Sequence, residues 1–136
     1  MLDALESEIH FIKSLKPTIC LEIGSGSGIV LTGLAKCLGS CCAYYFNIDI
    51  NPRAAQLRLE RVDFVEEQSC HVIPQVMSPS GVFYLLIVKE NDEEDILNVM
   101  KSFSWRSSVI IERKAGREFL KVLKFECVKM QTSVND

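Results

Sequence analysis

The sequence predicts an α/β fold that opens on a parallel strand, helix, strand crossover and closes on an antiparallel hairpin, with about five strands in all. Three observations carry this. A glycine cluster from Gly24 to Gly28 separates an apolar run from a helical one, Val82 to Val88 is an unbroken apolar run, and two strand-like runs near the C-terminus are joined by a short basic segment.

Leu2, Leu5, Ile9, Ile12 and Leu15 recur at helical spacing, predicting one amphipathic helix that ends before Pro17. Thr18 to Ile23 is short, mostly apolar and stopped by glycines, as a buried parallel strand would be. Ile29 to Leu38 reads as a helix with Gly39 as its stop, and Ala43 to Asp49 as the second strand of the crossover. Pro52 suits a first helical turn, and Arg53 to Val65 is helix-compatible with Ala54, Leu57 and Arg61 along one side. From Glu66 to Ser80 the pattern is broken: Val72, Ile73, Val76 and Met77 suit a helical turn, Pro74 interrupts it, and Pro79-Ser80-Gly81 is a turn. Val82 to Val88 is the clearest buried strand. Asn91, three residues before Glu94, reads as the N-cap of a helix whose apolar face is Ile96, Leu97, Met100 and Phe103. Ser107 to Glu112 and Phe119 to Cys127 are strands joined through the basic turn Arg113 to Arg117. Residues 1–129 form one domain, and the polar tail 130–136 frays.

Composition narrows the function classes. A net charge of -3 gives no general electrostatic reason for nucleic-acid binding, and no apolar run approaches the length of a membrane span. The six cysteines follow no secretory-type leader, so a reducing compartment, cytoplasmic with nuclear access, is the expectation. Cys37, Cys41 and Cys42 lack a second pair at zinc spacing, and His71 has no histidine near it, so no metal site is assigned.

The chemistry concentrates in Glu22-Ile23-Gly24-Ser25-Gly26-Ser27-Gly28. A glycine turn between strand and helix lets a ligand approach the backbone while the helix start offers free amides. The dinucleotide fingerprint would place its third glycine at position 29, which is Ile29, so the spacing favours S-adenosylmethionine over a nicotinamide or flavin. Glu22 is placed to order the turn. Asp49 ends the next strand about 20 residues after the last glycine, the interval at which an acid accepts the ribose hydroxyls. Ile50 is placed to pack on an adenine face. The cofactor-binding candidates are thus Glu22, Gly24, Gly26, Gly28, Asp49 and Ile50. The competing reading of the same residues is a plain strand-to-helix turn with Asp49 as a surface aspartate.

Ile19 to Gly28, Asp49-Ile50-Asn51-Pro52, Gly81 to Asn91 and Arg117 to Phe125 together resemble the HemK-type methyltransferases, specifically the eukaryotic release-factor glutamine enzymes. The resemblance implies a class I, Rossmann-like methyltransferase sheet and S-adenosyl-L-methionine as cofactor. It also implies transfer of a methyl group to the glutamine of a Gly-Gly-Gln loop in a translation release factor, with histone lysine methylation as a further activity and a small zinc-binding activator as partner.

The sequence departs from that family in one decisive way. The family's catalytic Asn-Pro-Pro-Tyr/Phe motif is absent: Pro17, Pro52, Pro74 and Pro79 are the only prolines and no two are adjacent. No catalytic residue can therefore be assigned. The span from Asn51 to Gly81 is also too short to hold the family's third and fourth strands and the helix between them. The expected architecture is an incomplete sheet, as in an internally deleted or truncated form. The start at Met1 also falls inside what resembles the family's first core helix. In the family the missing fourth strand lies between the first and fifth, so its loss exposes two central edges or forces a new pairing. The activator docks along the missing third strand, which puts that partnership in doubt. The competing readings are a methyltransferase of impaired activity, a non-catalytic cofactor- or partner-binding form, and a nicotinamide-dependent domain resting only on the generic glycine turn.

Overall fold

The structure is a computed structural model that describes residues 1–24, 26–48, 72–116 and 118–128. The chain divides into two compact units, Met1–Val65 and Glu66–Asp136.

In the first unit the opening helix is interrupted. Helix α1 is Leu2–Ser7 and α2 is Ile9–Ser14, with Glu8 between them at φ -95°, ψ 0°. The Ser7 hydroxyl donates to Ala4 O at 2.7 Å, a back-bond that competes with the helical ladder and tends to bend it. The apolar stripe read as one helix is therefore two short ones. Its positions still face inward, since Leu5 and Ile12 are buried. Strand β1, Ile19–Ile23, leads through the glycine turn into α3, Ile29–Leu38, and a 3-10 turn at Gly39–Cys41 carries the chain to β2, Tyr44–Ile48. The two strands pair in parallel, with Ile19 opposite Tyr44 and Ile23 opposite Ile48. The predicted crossover is present, with each strand starting one residue later than the apolar run suggested. The predicted helix at Arg53 to Val65, Asp49, Ile50, Cys70, His71 and the tail 130–136 lie outside the described residues.

The second unit begins with a helical turn at 72–76, followed by β3, Val82–Val88; α4, Glu93–Ser102; β4, Trp105–Ala115; and β5, Glu118–Cys127. Their sheet is antiparallel in the order β3-β5-β4, so the last strand sits in the middle. The hairpin strands run further than predicted. Pairing continues to Ala115 opposite Glu118, leaving a two-residue loop in which Gly116 takes φ +65°. Helix α4 covers one face of the sheet. Met100, Phe125 and Leu123 are buried there with Ile87 and Trp105, and Phe83 stacks on Phe125 at 5.9 Å between ring centroids.

The cap of α4 is one residue later than predicted. Asn91 Oδ1 accepts from Val88 N–H at 2.8 Å and closes the turn leaving β3, so the cap falls to Asp92, whose Oδ1 accepts from Asp95 N–H at 3.0 Å. Glu93, Glu94 and Asp95 fill the first turn and Lys101 the last, matching the helix dipole. Lys121 Nζ meets Glu93 Oε2 at 2.7 Å and ties the helix to the central strand. The sheet's two edges differ. β4 is charged at Arg106, Glu112, Arg113 and Lys114 and carries a bulge between Val109 and Ile111, whereas β3 has neither charge nor bulge. Among the described residues β1 pairs only with β2 and β3 only with β5.

Candidate cofactor site

The predicted site begins where β1 ends. Parallel pairing brings the C-terminal ends of β1 and β2 level, and Gly24 N–H donates to Ile48 O at 2.7 Å, fixing the start of the turn against the strand that leads into Asp49. Gly24, Gly26 and Gly28 take φ values of +70°, +50° and +69°. Each lies in the left-handed region, where a side chain costs about 1 kcal/mol or more. A Cβ built on Gly24 or Gly26 would meet no atom within 4 Å. The glycines are therefore required by backbone conformation, and the space beside two of them is open.

Gly28 is also the N-cap of α3 and has no side-chain oxygen to offer its first amides. Glu22 supplies that oxygen: its Oε2 accepts from Leu31 N–H at 3.0 Å. Thr32 N–H, one residue on, already bonds to Gly28 O at 3.0 Å. Ile29 and Val30 are left with amide donors that have no partner among the described residues, at the positive end of a ten-residue helix. Burial pushes the Glu22 carboxyl above the ordinary glutamate pKa, and the Leu31 amide, which favours the anion, offsets that only in part. The expectation that Glu22 orders the turn has a specific form: it is the remote cap of α3.

Of the six cofactor candidates, Glu22, Gly24, Gly26 and Gly28 are gathered in this turn, while Asp49 and Ile50 lie outside the described residues. The sequence reading missed the Leu31 amide. The signal was present, since a glycine N-cap leaves an orphan donor that some neighbouring group must satisfy. It also missed a thiol pair below the turn. Cys42 Sγ lies 3.5 Å from Cys20 Sγ and 3.2 Å from Tyr44 O. Burial pushes the Cys20 thiol up to about 12, with Cys42 adding to the effect. Among the described residues no group of three His, Cys, Asp or Glu side chains could hold a metal ion, and no helix is long and apolar enough to cross a membrane.

A parallel crossover, three left-handed glycines and a helix start with open amides make a Rossmann-like strand, turn and helix unit. The relatives of the chain specify its class. It is 31% identical to human methyltransferase HEMK2, with 92% of this chain and 84% of the relative covered, and 29% identical to the mouse protein over the same shares. No family model matches the chain. A solved E. cuniculi structure, the Mtq2-Trm112 complex responsible for methylation of the translation termination factor eRF1, superposes with a TM-score of 0.63 at 18% identity, covering 93% of this chain and 92% of that one. The fold is that of the class I methyltransferases, and the chain belongs to the HEMK2 methyltransferase family. The match to the human relative runs over 183 positions, more than the 136 residues of this chain, so that relative carries internal residues with no counterpart here.

Proposed function

We propose that this chain is an S-adenosylmethionine-binding member of its family in which cofactor binding is retained and methyl transfer to a release-factor glutamine is impaired. The observation that carries the reading is the turn from Glu22 to Gly28, with three left-handed glycines, open space beside Gly24 and Gly26, and a helix start held by Glu22. S-adenosylmethionine has no pyrophosphate. It needs room for an amino-acid moiety, which the glycine turn supports, and donors for a carboxylate, for which Ile29 and Val30 are available. Asp49 would accept the ribose hydroxyls and Ile50 would pack on the adenine. When bound, the cofactor supplies an electrophilic methyl group.

The chain's own residues do not complete the rest. Transfer to an amide nitrogen depends on orienting a weak nucleophile and excluding water, where correct placement contributes several kcal/mol. The family performs this with the Asn-Pro-Pro-Tyr/Phe motif, which this sequence lacks. The shortfall of residues inside the match to the human relative supports the loss of the third and fourth strand region, which would also remove the activator's docking strand. By likeness to the E. cuniculi complex, the substrate of an intact member would be a translation termination factor and its partner a small activator subunit. The family resemblance adds that this subunit binds zinc, and the reducing compartment expected from the sequence motivates a cytoplasmic setting with access to the nucleus.

The test is an assay of the purified chain with isotopically labelled cofactor and a release factor bearing the Gly-Gly-Gln loop. The expected result is no transfer above background with cofactor still bound. Robust glutamine methylation would overturn the impaired-transfer reading. A non-catalytic, cofactor-binding form is the same molecule viewed without turnover, and binding in the absence of transfer is what supports it.

A further inference from the structure

We propose that the open edge of β1 pairs antiparallel with the same edge of a second copy of this chain, about a twofold axis at Leu21. The hydrogen bonds at the two ends of the β1–β2 ladder fix its alternation: Tyr44 N–H donates to Thr18 O at 3.0 Å and Gly24 N–H to Ile48 O at 2.7 Å. In a parallel ladder of this register, Cys20 and Glu22 direct their backbone groups at β2. Ile19, Leu21 and Ile23 therefore direct theirs to the other side, where no described strand meets them. Unpaired backbone groups on an edge strand are a template for strand addition, and the side chains of Ile19, Leu21 and Ile23 along it are apolar.

The side chains agree with the backbone. Ile19 and Leu21 are 59% and 52% exposed, and on the same face of β2 Tyr44 and Phe46 are 59% and 39% exposed, their rings stacked at 6.3 Å. This face holds no charge.

The occupant follows from the order of residues along the edge. Ile19-Cys20-Leu21-Glu22-Ile23 is nearly palindromic about Leu21. An antiparallel partner centred there sets Leu21 against its own copy, each Ile19 against the other's Ile23, and each Glu22 against the other's Cys20. No glutamate faces a glutamate. A parallel copy in register would place the two Glu22 carboxylates side by side. The antiparallel dimer joins two two-stranded ladders into one of four strands and supplies partners for the edge groups of Ile19, Leu21 and Ile23 in both copies.

The test uses the full chain in sedimentation velocity from 1 to 100 µM, with Leu21→Lys and Leu21→Glu each alone and mixed. Wild type is expected to shift from monomer to dimer with concentration, and each variant alone to stay monomeric with at least a tenfold weaker association. The equimolar mixture is expected to restore a heterodimer, because opposite charges then meet at the axis. Amide hydrogen exchange of wild type provides a measure that needs no variant. Ile19, Leu21 and Ile23 should exchange freely at 1 µM and slowly at 100 µM. A wild type that remains monomeric, a dimer indifferent to both charges, or exchange at these amides that does not depend on concentration would each overturn the proposal.

Discussion

The Leu31 amide is capped by Glu22 across the glycine turn, at 3.0 Å, nine residues away in sequence and from a different element. This bond joins the end of β1 to the start of α3 and holds the turn between them without using any atom of Gly24, Gly26 or Gly28. The space beside Gly24 and Gly26 and the amides of Ile29 and Val30 stay clear of this bond.

The first prediction concerns that bond. Glu22→Ala removes the acceptor and leaves an orphan amide at the third helical position, for an expected loss of about 1 kcal/mol at pH 7. Glu22→Gln keeps an acceptor and removes the charge. Because burial raises the Glu22 pKa on folding, the folded chain binds more protons than the unfolded one. The stability this contributes is full below the unfolded pKa and is lost as pH rises through the folded one. Relative to wild type, Glu22→Gln should therefore gain stability as pH rises from about 4 to about 7. Chemical denaturation at several pH values measures this, and a constant or falling difference would contradict it.

The cap of α4 yields a second prediction. Asp92→Ala should cost about 1 kcal/mol, since Asp92 Oδ1 satisfies Asp95 N–H and its charge sits at the helix N-terminus. Asn91→Asp, by contrast, keeps an oxygen for Val88 N–H and should change stability by a few tenths of that. Urea midpoints separate the two residues.

The second unit's core gives a third. Phe125 is fully buried, stacked on Phe83 and packed in one cluster with Met100, Leu123, Ile87 and Trp105, so Phe125→Ala should cost about 3–5 kcal/mol. Loss of the cooperative melt by near-ultraviolet circular dichroism is the expected readout; a change under about 1 kcal/mol would place Phe125 outside a close-packed core.

Thiol reactivity provides a fourth. Cys37 and Cys41 are exposed, while Cys20 is held protonated, with its pKa pushed up to about 12 by burial and the neighbouring Cys42. Only the thiolate is nucleophilic. Iodoacetamide at pH 8, followed by peptide mass spectrometry, should modify Cys37 and Cys41 first and Cys20 and Cys42 last. Early labelling of Cys20 would show that the pair beneath the turn is not packed as described.

Much of this arrangement was legible in the sequence because it is local. Val82 to Val88 and Ile29 to Leu38 were readable from an unbroken apolar run and from a helical pattern with a glycine stop, and their observed bounds match. What escaped depended on competition between neighbours or on distant contacts. The interruption at Glu8 follows the Ser7 back-bond to Ala4, and the cap moved from Asn91 to Asp92 because the turn leaving β3 uses the Asn91 side chain. The hairpin strands outran their apolar segments because Arg113 and Lys114 pair as backbone, whatever their side chains prefer. The Cys20 and Cys42 thiols meet only because the end of the 3-10 turn lies alongside β1, a contact that no spacing rule announces. Within the candidate site the glycines were legible because positive φ all but demands that residue, and the Glu22 to Leu31 bond was the inference they left undrawn.

The central claim is that this chain keeps a working cofactor cradle, and the most direct measurement is calorimetric titration with S-adenosylhomocysteine, run beside NADH and beside the Gly26→Ala and Asp49→Ala variants. Saturable binding of about one ligand per chain, weakened at least tenfold in both variants and absent for NADH, is the predicted result. A chain that melts cooperatively yet takes up no S-adenosylhomocysteine, or that binds NADH more tightly, would contradict it.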